Sequence, residues 1–255
     1  MIPYATHPVL LNLGFLKVYS WGFMLAIAFI VATIVSAKEA KRKNINPENI
    51  YSLVTYIIIG AIIGSRVGYV LFNLNNFINF LDIFKIWEGG MAFHGGFIGG
   101  FLFAFFYVRK NKLNFYKILD TCAPSIPLAQ AIGRIGCFLR GCCYGISTTL
   151  PWGINYLQET RHPTQLYSSL ALLIIFIFLS KQKYKKNFNG SLFLTYIIIY
   201  SVFRFFIEFI RTEPRILFGL TGAQLVSIIL AGISIFLFPK FRKLFKIKNI
   251  NKRKC

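Results

Sequence analysis

The sequence is short of acidic residues, has only three histidines and lacks a regular cysteine framework, and these shortages narrow the class of protein. Only 8 of the 255 residues are Asp or Glu, against 29 Lys or Arg, and the formal net charge is +21. Charged residues make up 15% of the chain and hydrophobic residues 56%, which is too apolar for an ordinary soluble domain. Five cysteines, three of them within seven consecutive residues, are not the evenly spaced set of a disulfide-rich secreted domain.

Long apolar stretches make up much of the chain. Several of them reach the length of about 20 residues that a helix needs to cross ~30 Å of hydrocarbon. We therefore predict an all-α integral membrane protein with about seven transmembrane helices, forming a single polytopic membrane domain over 1–240 with a basic cytoplasmic tail over 241–255. The predicted helices lie near 18–37, 51–72, 91–108, 118–139, 165–180, 191–210 and 217–238.

The basic residues are concentrated in alternate connections between the apolar stretches, which is the positive-inside pattern. This pattern places the N-terminus outside and the C-terminus inside. Topology alone explains these charges, although the tail can also contact anionic lipid. Basic nucleic-acid-binding proteins are soluble, so we expect no nucleic-acid partner. Twenty Lys and Arg fall in 38–50, 109–117, 181–190 and the tail from residue 240, and six fall in 1–17, 73–90, 140–164 and 211–216.

Arg66, Arg134 and Arg204 lie inside apolar stretches, where a charge costs at least ~2.5–3.5 kcal/mol and usually has a partner or a purpose. One interpretation is structural, with Arg204 or Arg211 paired to Glu208 on one helix face. One glutamate cannot neutralise three arginines, so the alternative is an anionic ligand, for which the arginine fork suits phosphate. The topology places the three arginines at a similar depth towards the outer face, where a lipid phosphate is the obvious candidate.

His94 opens the third predicted helix in the motif HGGFIGG, also near the outer face. A lone histidine is often only a hydrogen-bonding residue of the structure, but three arginines at the same depth favour a neutral histidine that acts as a base. Gly95 and Gly96 begin a glycine series that permits either tight helix packing or close approach of a lipid.

The motif GRIGCFLRGCCYG contains Cys137, Cys142 and Cys143 at the end of the fourth predicted helix. These cysteines can be small buried apolar residues or can form a disulfide. A metal is a weaker interpretation, because Cys-x4-Cys-Cys is not a zinc spacing and a histidine from another helix would have to join, so we expect no metal. His162, in RHPTQLY, precedes Pro163 and either orients the loop or contacts a ligand.

The chain resembles the prolipoprotein diacylglyceryl transferases, bacterial inner-membrane enzymes that begin the lipidation of lipoproteins. The resemblance rests on GSRVGYVLF, HGGFIGG, GRIGCFLRGCCYG, RHPTQLY and YSVFRFFIEFIR, which occur in the family's order. Cys137, Arg140 and Cys142 stand where the family usually has Asn, Asn and Glu. The resemblance implies that His94, Arg134 and Arg204 are catalytic. It also places seven residues at substrate-binding positions, namely Arg66, Tyr200, Glu208, Arg211, Gly95, Gly96 and Gly145.

The implied reaction is transfer of a diacylglyceryl group from phosphatidylglycerol to the lipobox cysteine of a preprolipoprotein. His94 would activate or position the thiol, and Arg134 and Arg204 would hold the phosphate. No cofactor is expected, because the phosphate ester is already a leaving group. The implied location is the bacterial plasma membrane, with the active site towards the outer leaflet. Two alternatives stay open here: a transporter or scramblase of anionic lipid or solute, and a membrane thiol oxidoreductase using the three clustered cysteines.

Overall fold

The computed structural model describes residues 2–3, 6–14, 17–74, 80–85, 89–156, 158–184 and 188–254, and it describes their side chains except those of 2–3, 80–81 and 241–254. This part of the chain is predominantly helical, with eight α-helices and 69% of residues in helix. The helices are α1 Ser20–Arg42, α2 Glu48–Phe72, α3 Phe93–Lys110, α4 Phe115–Cys122, α5 Ser125–Arg140, α6 Thr164–Gln182, α7 Ser191–Ile207 and α8 Gly222–Lys254.

Short strands occupy the connections. Two hairpins stand alone, one formed by β2 and β3 and the other by β6 and β7. In the third sheet, the central strand β4 pairs in parallel with β1 and antiparallel with β5. The strands are β1 Ile2–Pro3, β2 Val9–Asn12, β3 Lys17–Tyr19, β4 Ile154–Tyr156, β5 Glu159–Arg161, β6 Arg215–Leu217 and β7 Leu220–Thr221.

Five helical segments are long and apolar enough to cross a membrane, which supports a multi-pass membrane protein. Their surfaces carry large apolar side chains that are mostly exposed, such as Phe206 at 65% exposure and Phe236 at 70%. Hydrocarbon rather than water is the solvent that suits such a surface. The five are Ser20–Arg42, Glu48–Phe72, Thr164–Gln182, Ser191–Ile210 and Gly222–Lys240.

The structure differs from two of the predicted spans. The single helix predicted over 118–139 is wrong, because α4 ends at Cys122 and α5 begins at Ser125. Pro124 lies at the break; it has no backbone N–H and disfavours helical geometry in the residue before it. The helix predicted to begin at residue 217 begins instead at Gly222.

The residues before Gly222 form the β6–β7 hairpin, which turns through Phe218 and Gly219, both with positive φ. At its other end α8 continues to Lys254 through the sequence that we expected to be a separate tail, and Cys255 lies outside the described residues. Helix α3 is not among the five apolar segments, since His94, the glycines and the terminal Arg109 and Lys110 lower its hydropathy.

The chain divides into two compact units. Residues 36–118 form one, here called the α2–α3 unit, and residues 1–35 with 119–255 form the other, here called the α5–α8 unit. The core of the α5–α8 unit lies where α5, α6 and α7 meet, around Ala131, Leu172, Ile175, Leu192 and Tyr196. Polar residues also fix this core: Ser169 Oγ donates to the carbonyl of Ala131 at 3.0 Å, so α6 is bonded to α5.

Candidate functional site

The α2–α3 unit is built on a seam of glycines. A Cβ added to Gly95 would lie 2.3 Å from the carbonyl oxygen of Gly64, and one added to Gly99 would lie 2.2 Å from that of Gly60. The glycines recur every four residues on each helix, so they share one face and let the two backbones touch. The sequence predicted either tight helix packing or close approach of a lipid at these glycines, and Gly95 is used for tight helix packing. The fit is less tight at Gly96, where an added Cβ would lie 3.3 Å from Ala61 O and from Ser65 Cβ.

This seam fixes the start of α3, and therefore the position of His94. His94 occupies the first turn of α3, and its side chain is exposed. Its ring meets the ring of Phe93 edge to face, with centroids 5.8 Å apart. Within the described part of the chain no hydrogen bond involves the imidazole, so neither ring nitrogen is committed to a structural role.

Arg66 lies on α2 in the same unit and is buried, with 8% exposure. Its Nε donates to Ile83 O at 2.6 Å and its Nη2 to Asp82 O at 2.6 Å. Its Nη1 donates to Gly89 O at 2.7 Å and Gly90 O at 3.2 Å. The guanidinium therefore ties the segments before α3 to α2, and Ala92 N, bonded to Ser65 O at 2.9 Å, completes the attachment. Arg66 was expected among the substrate-binding residues, and in this structure its guanidinium contacts backbone carbonyls.

The α5–α8 unit contains a different arrangement of arginines around Glu208, which is 1% exposed. Glu208 Oε2 lies 2.6 Å from Arg204 Nη1 and 3.4 Å from Arg211 Nε. Arg211 Nη2 also lies 2.6 Å from Glu213 Oε1. The helical spacing of Arg204 and Glu208 explains their ion pair, since residues four apart share a face, and Arg211 lies at the extended residue just after the short 3-10 turn that carries Glu208. The pairing predicted for Glu208 is present with both arginines.

The carboxylates do not use the whole hydrogen-bonding capacity of this cluster. Arg211 is 6% exposed, and its Nη1 is buried without a hydrogen-bond partner among the described residues. Burial alone would lower the pKa of Arg211, but the hydrogen bond to Glu213 and the interactions with Cys143 and Glu208 outweigh it and raise that pKa. Arg211 therefore stays a cation with an unused donor, which is the arrangement expected of an anion-binding group.

Arg134 and Tyr200 lie in the same unit. Arg134, on α5, is half-buried, and no hydrogen bond or ion pair involves its side chain in the part of the chain that the structure describes. It is among the charged neighbours of Arg204, together with Arg211. Tyr200 is half-buried on α7, where its ring stacks on that of Tyr196 with centroids 5.7 Å apart. The structure thus brings together four predicted site residues: Arg134, Arg204, Glu208 and Arg211.

Gly145 is a point of close approach between three chain segments. A Cβ there would lie 2.5 Å from Ile210 O, 2.7 Å from His162 Cβ and 2.8 Å from Thr164 Cγ2. Gly145 N donates to His162 O at 2.9 Å, and Gly145 forms a β-bridge with Arg211. Gly145 and His162 therefore hold the loop that carries Arg211, and His162 Nδ1 lies 3.3 Å from the hydroxyl of Tyr167.

The three clustered cysteines are free thiols and lie close together. Their sulfur atoms are all within 4.8 Å of one another. Contacts with the thiols of Cys137 and Cys142, helped by the charge of Arg211, hold the pKa of the Cys143 thiol far below its usual range. Contacts with Cys137 and Cys143 raise the pKa of the Cys142 thiol. Of the pair Cys142 and Cys143, Cys143 is therefore the one with the lowered pKa.

Sequence reasoning missed a cluster of polar and aromatic residues beside these cysteines. Arg161 Cζ lies 4.9 Å from the centre of the Tyr144 ring, and its Nη2 lies 2.6 Å from Glu159 Oε2. The rings of Tyr144 and Tyr156 have centroids 4.6 Å apart. A small cavity opens between Tyr144, Tyr156, Arg161 and His162.

Comparison with known proteins places the chain in a family. The profile of the family described as prolipoprotein diacylglyceryl transferase matches residues 8–239. A phosphatidylglycerol–prolipoprotein diacylglyceryl transferase of Clostridium tetani is 37% identical over 246 residues, covering 92% of this chain and 99% of that protein. One from Clostridioides difficile is 40% identical over 82% of this chain and 85% of its own length. One from Prochlorococcus marinus strain MIT 9301 is 38% identical over 89% and 87%.

Proposed function

The chain belongs to the prolipoprotein diacylglyceryl transferase family, and from that premise we propose how its residues perform the transfer. The reaction moves the diacylglyceryl group of phosphatidylglycerol to the thiol of a preprolipoprotein's lipobox cysteine. The transporter and the thiol oxidoreductase are not favoured, because a relative named as a transferase matches this chain over 92% of its length.

The arginine cluster of the α5–α8 unit binds the phosphate of the lipid donor. The observation that carries this assignment is the buried Nη1 of Arg211, which has no hydrogen-bond partner among the described residues. Arg134, which has no ion pair in that part of the chain, and Arg204 add two more guanidinium groups, while Glu208 supplies one buried negative charge. A phosphate balances the remaining charge, and guanidinium forks bind its oxygens in pairs.

The same cations stabilise the leaving group. The acceptor sulfur attacks the glyceryl carbon that is bonded to the phosphate oxygen, so a C–S bond forms as the C–O bond breaks. The electron pair of the broken bond stays on the phosphate, which leaves as glycerol phosphate. Negative charge grows on that oxygen in the transition state, and guanidinium groups fixed by Glu208 are placed in advance to meet it.

His94 takes the proton of the acceptor thiol. The thiolate, rather than the thiol, is the nucleophile, and a free cysteine ionises only with a pKa of about 8.5. A base is therefore needed near neutral pH, and the exposed imidazole of His94 has no competing hydrogen bond within the described residues. Arg66 supports His94 indirectly, since it ties the backbone before α3 to α2.

The reaction takes place in the plasma membrane of a bacterium, with the N-terminus outside, the C-terminus inside and the site towards the outer leaflet. The asymmetry of the basic residues supports this orientation, because cytoplasmic connections retain Lys and Arg. An accessibility assay on single cysteines introduced into the 109–117 and 140–164 connections of a cysteine-free variant tests it. Labelling of the 109–117 connection from outside the cell would show that the orientation is the reverse of the one proposed.

The activity itself is tested with purified protein, phosphatidylglycerol and a peptide that contains a lipobox cysteine. We expect the mass of the peptide to rise by one diacylglyceryl group, and we expect no rise when the acceptor cysteine is replaced by serine. Phosphatidylethanolamine vesicles serve as the donor control. A folded, lipid-binding protein that produces no mass increase would contradict the proposal.

A further inference from the structure

The end of α5 brings Cys137 and Cys142 side by side. Gly141 has φ +77°, its N–H bonds to Phe138 O at 2.9 Å, and Cys142 N bonds to Cys137 O at 3.1 Å. This is the Schellman motif, in which a left-handed residue closes the helix and the residues at either end of the longer bond face each other. Those two positions usually carry an apolar pair. Here both are cysteines, and the turn brings the two thiols together.

Cys143 is the third member, and its backbone is held in an unusual conformation. Its φ is +65°, in the left-handed region that non-glycine residues seldom adopt. Two side chains at the start of α6 hold the conformation in place: Gln165 Nε2 donates to Cys142 O at 2.6 Å, and Thr164 Oγ1 donates to Cys143 O at 2.8 Å. Two neighbouring residues thus present their thiols to the same space, with Cys142 Sγ and Cys143 Sγ 3.7 Å apart.

The spacing of the three sulfurs fits a single small cation. All three lie within 4.8 Å of one another. A zinc ion with tetrahedral geometry and Zn–S bonds of about 2.3 Å places its sulfur ligands about 3.8 Å apart. The pair Cys142–Cys143 already has that separation, and a small rotation of the half-buried Cys137 side chain brings in the third.

The surroundings fit the charge of such a site. Three thiolates around a divalent cation carry one net negative charge, which needs a positive neighbour when partly buried. Arg211 has a buried Nη1 without a hydrogen-bond partner among the described residues and acts electrostatically on Cys143. Arg134 acts in the same way on Cys137. Thiolate sulfur is a soft ligand, so the site favours Zn²⁺ over Mg²⁺ or Ca²⁺.

We propose that Cys137, Cys142 and Cys143 form a three-thiolate site for one thiophilic cation, with Zn²⁺ as the expected ion and the fourth coordination position open. The linear spacing of the cysteines argued against a metal, because it lacks the usual pair separated by two residues. The Schellman turn changes that assessment by folding Cys142 and Cys143 back onto Cys137. The site shares Arg134 and Arg211 with the proposed phosphate-binding cluster, but metal binding can be measured whether or not the protein transfers a diacylglyceryl group.

Cobalt provides a direct test, since Co²⁺ bound to thiolates gains a sulfur-to-metal charge-transfer absorption. The purified full-length protein, in detergent with a phosphine reductant, is titrated with Co²⁺ and then with Zn²⁺. We expect the band to saturate at one Co²⁺ per chain and to disappear as Zn²⁺ displaces it. Replacing any one of the three cysteines by serine should lower the affinity for Zn²⁺ by more than about 100-fold, since even the loss of a residue that only hydrogen-bonds to a ligand lowers metal affinity by about 10–100-fold. Cys122→Ser, outside the cluster, should bind as the wild type does.

A second measurement needs no variant and so does not depend on the folding of the substituted protein. Zn²⁺ added before an alkylating reagent should protect Cys137, Cys142 and Cys143 from alkylation and leave Cys122 unprotected. Mass spectrometry of the peptides identifies which cysteines have been modified. Absence of a charge-transfer band from the wild type, or equal protection of Cys122, would overturn the proposal. So would a band of unchanged strength in a folded protein with all three cysteines replaced.

Discussion

The two units bury arginine in opposite ways. In the α2–α3 unit, Arg66 directs its guanidinium nitrogens at four backbone carbonyls and contributes structure. In the α5–α8 unit, Arg204 and Arg211 share one buried carboxylate, and Arg211 keeps an Nη1 without a partner among the described residues. A buried arginine whose three guanidinium nitrogens all donate to the protein holds a segment in place, whereas one with an unpartnered nitrogen is available to a ligand. The following experiments sharpen or break that distinction.

The largest effect is expected from His94→Ala, which removes the proposed base and leaves the glycine seam of α3 untouched. Transfer to a lipobox peptide should fall to the background seen with a serine acceptor, a loss of at least 10²–10⁴-fold. His162→Ala is the matched control, because His162 has Tyr167 as a partner and should change the rate much less. Normal turnover by the His94 variant, with correct membrane insertion, would remove His94 from the mechanism.

Arg204→Lys is expected to have the next largest effect. Lysine keeps the positive charge and can still reach Glu208, so the unfolding temperature should change little. It lacks the planar fork that binds two phosphate oxygens, so transfer should fall about 10²–10³-fold, as it does when one transition-state donor is removed. Wild-type transfer with a lowered unfolding temperature would instead make Arg204 a structural residue like Arg66.

Arg66→Lys should show the reverse pattern. A lysine amine has three donors on a single nitrogen and cannot reach carbonyls at both Asp82–Ile83 and Gly89–Gly90. Several part-buried carbonyls then lose a partner, at up to about 1–3 kcal/mol each. We expect a clearly lower unfolding temperature, with transfer lost only in proportion to the protein that fails to fold. Unchanged stability together with weaker lipid binding would move Arg66 into the substrate site.

The difference between these arginines was not visible in the sequence, although much else was. Apolar runs and basic connections predicted most helices, and the spacing of Arg204, Glu208 and Arg211 predicted their pairing, because both signals are local. The partners of Arg66 lie 16 to 24 residues further along the chain in an irregular connection, which no periodic pattern describes. The break between α4 and α5 was foreseeable from Pro124, but the apolar run concealed it.

The glycine seam of the α2–α3 unit provides a test that depends only on packing. In Gly95→Ala the new methyl group would lie 2.3 Å from Gly64 O, so α2 and α3 must separate, at about 1–3 kcal/mol. Gly232→Ala on α8 is the matched control, since the structure places nothing within 4 Å of its Cβ. That substitution should be neutral or stabilise the helix by about 0.5–1 kcal/mol. Equal unfolding temperatures for the two variants would contradict the close contact.

The smallest effect concerns the thiols beside Arg211. The lowered pKa of Cys143 means that its thiolate persists as the pH falls, whereas Cys142, whose pKa is raised, stays protonated. Metal-free protein should therefore be alkylated by iodoacetamide at Cys143 before Cys142, and the rate at Cys143 should change little between about pH 6 and 8, since reactivity follows the thiolate fraction.

Arg211→Gln removes one of the charges that stabilise this thiolate, so the pKa of Cys143 should rise and its alkylation near pH 6 should slow by a few fold. The contacts with the thiols of Cys137 and Cys142 remain in that variant, which is why the expected change is small. Peptide masses after timed alkylation separate the two sites. Faster reaction at Cys142 than at Cys143 in the wild type would contradict the lowered pKa of Cys143, and an unchanged rate in Arg211→Gln would show that Arg211 does not stabilise the Cys143 thiolate.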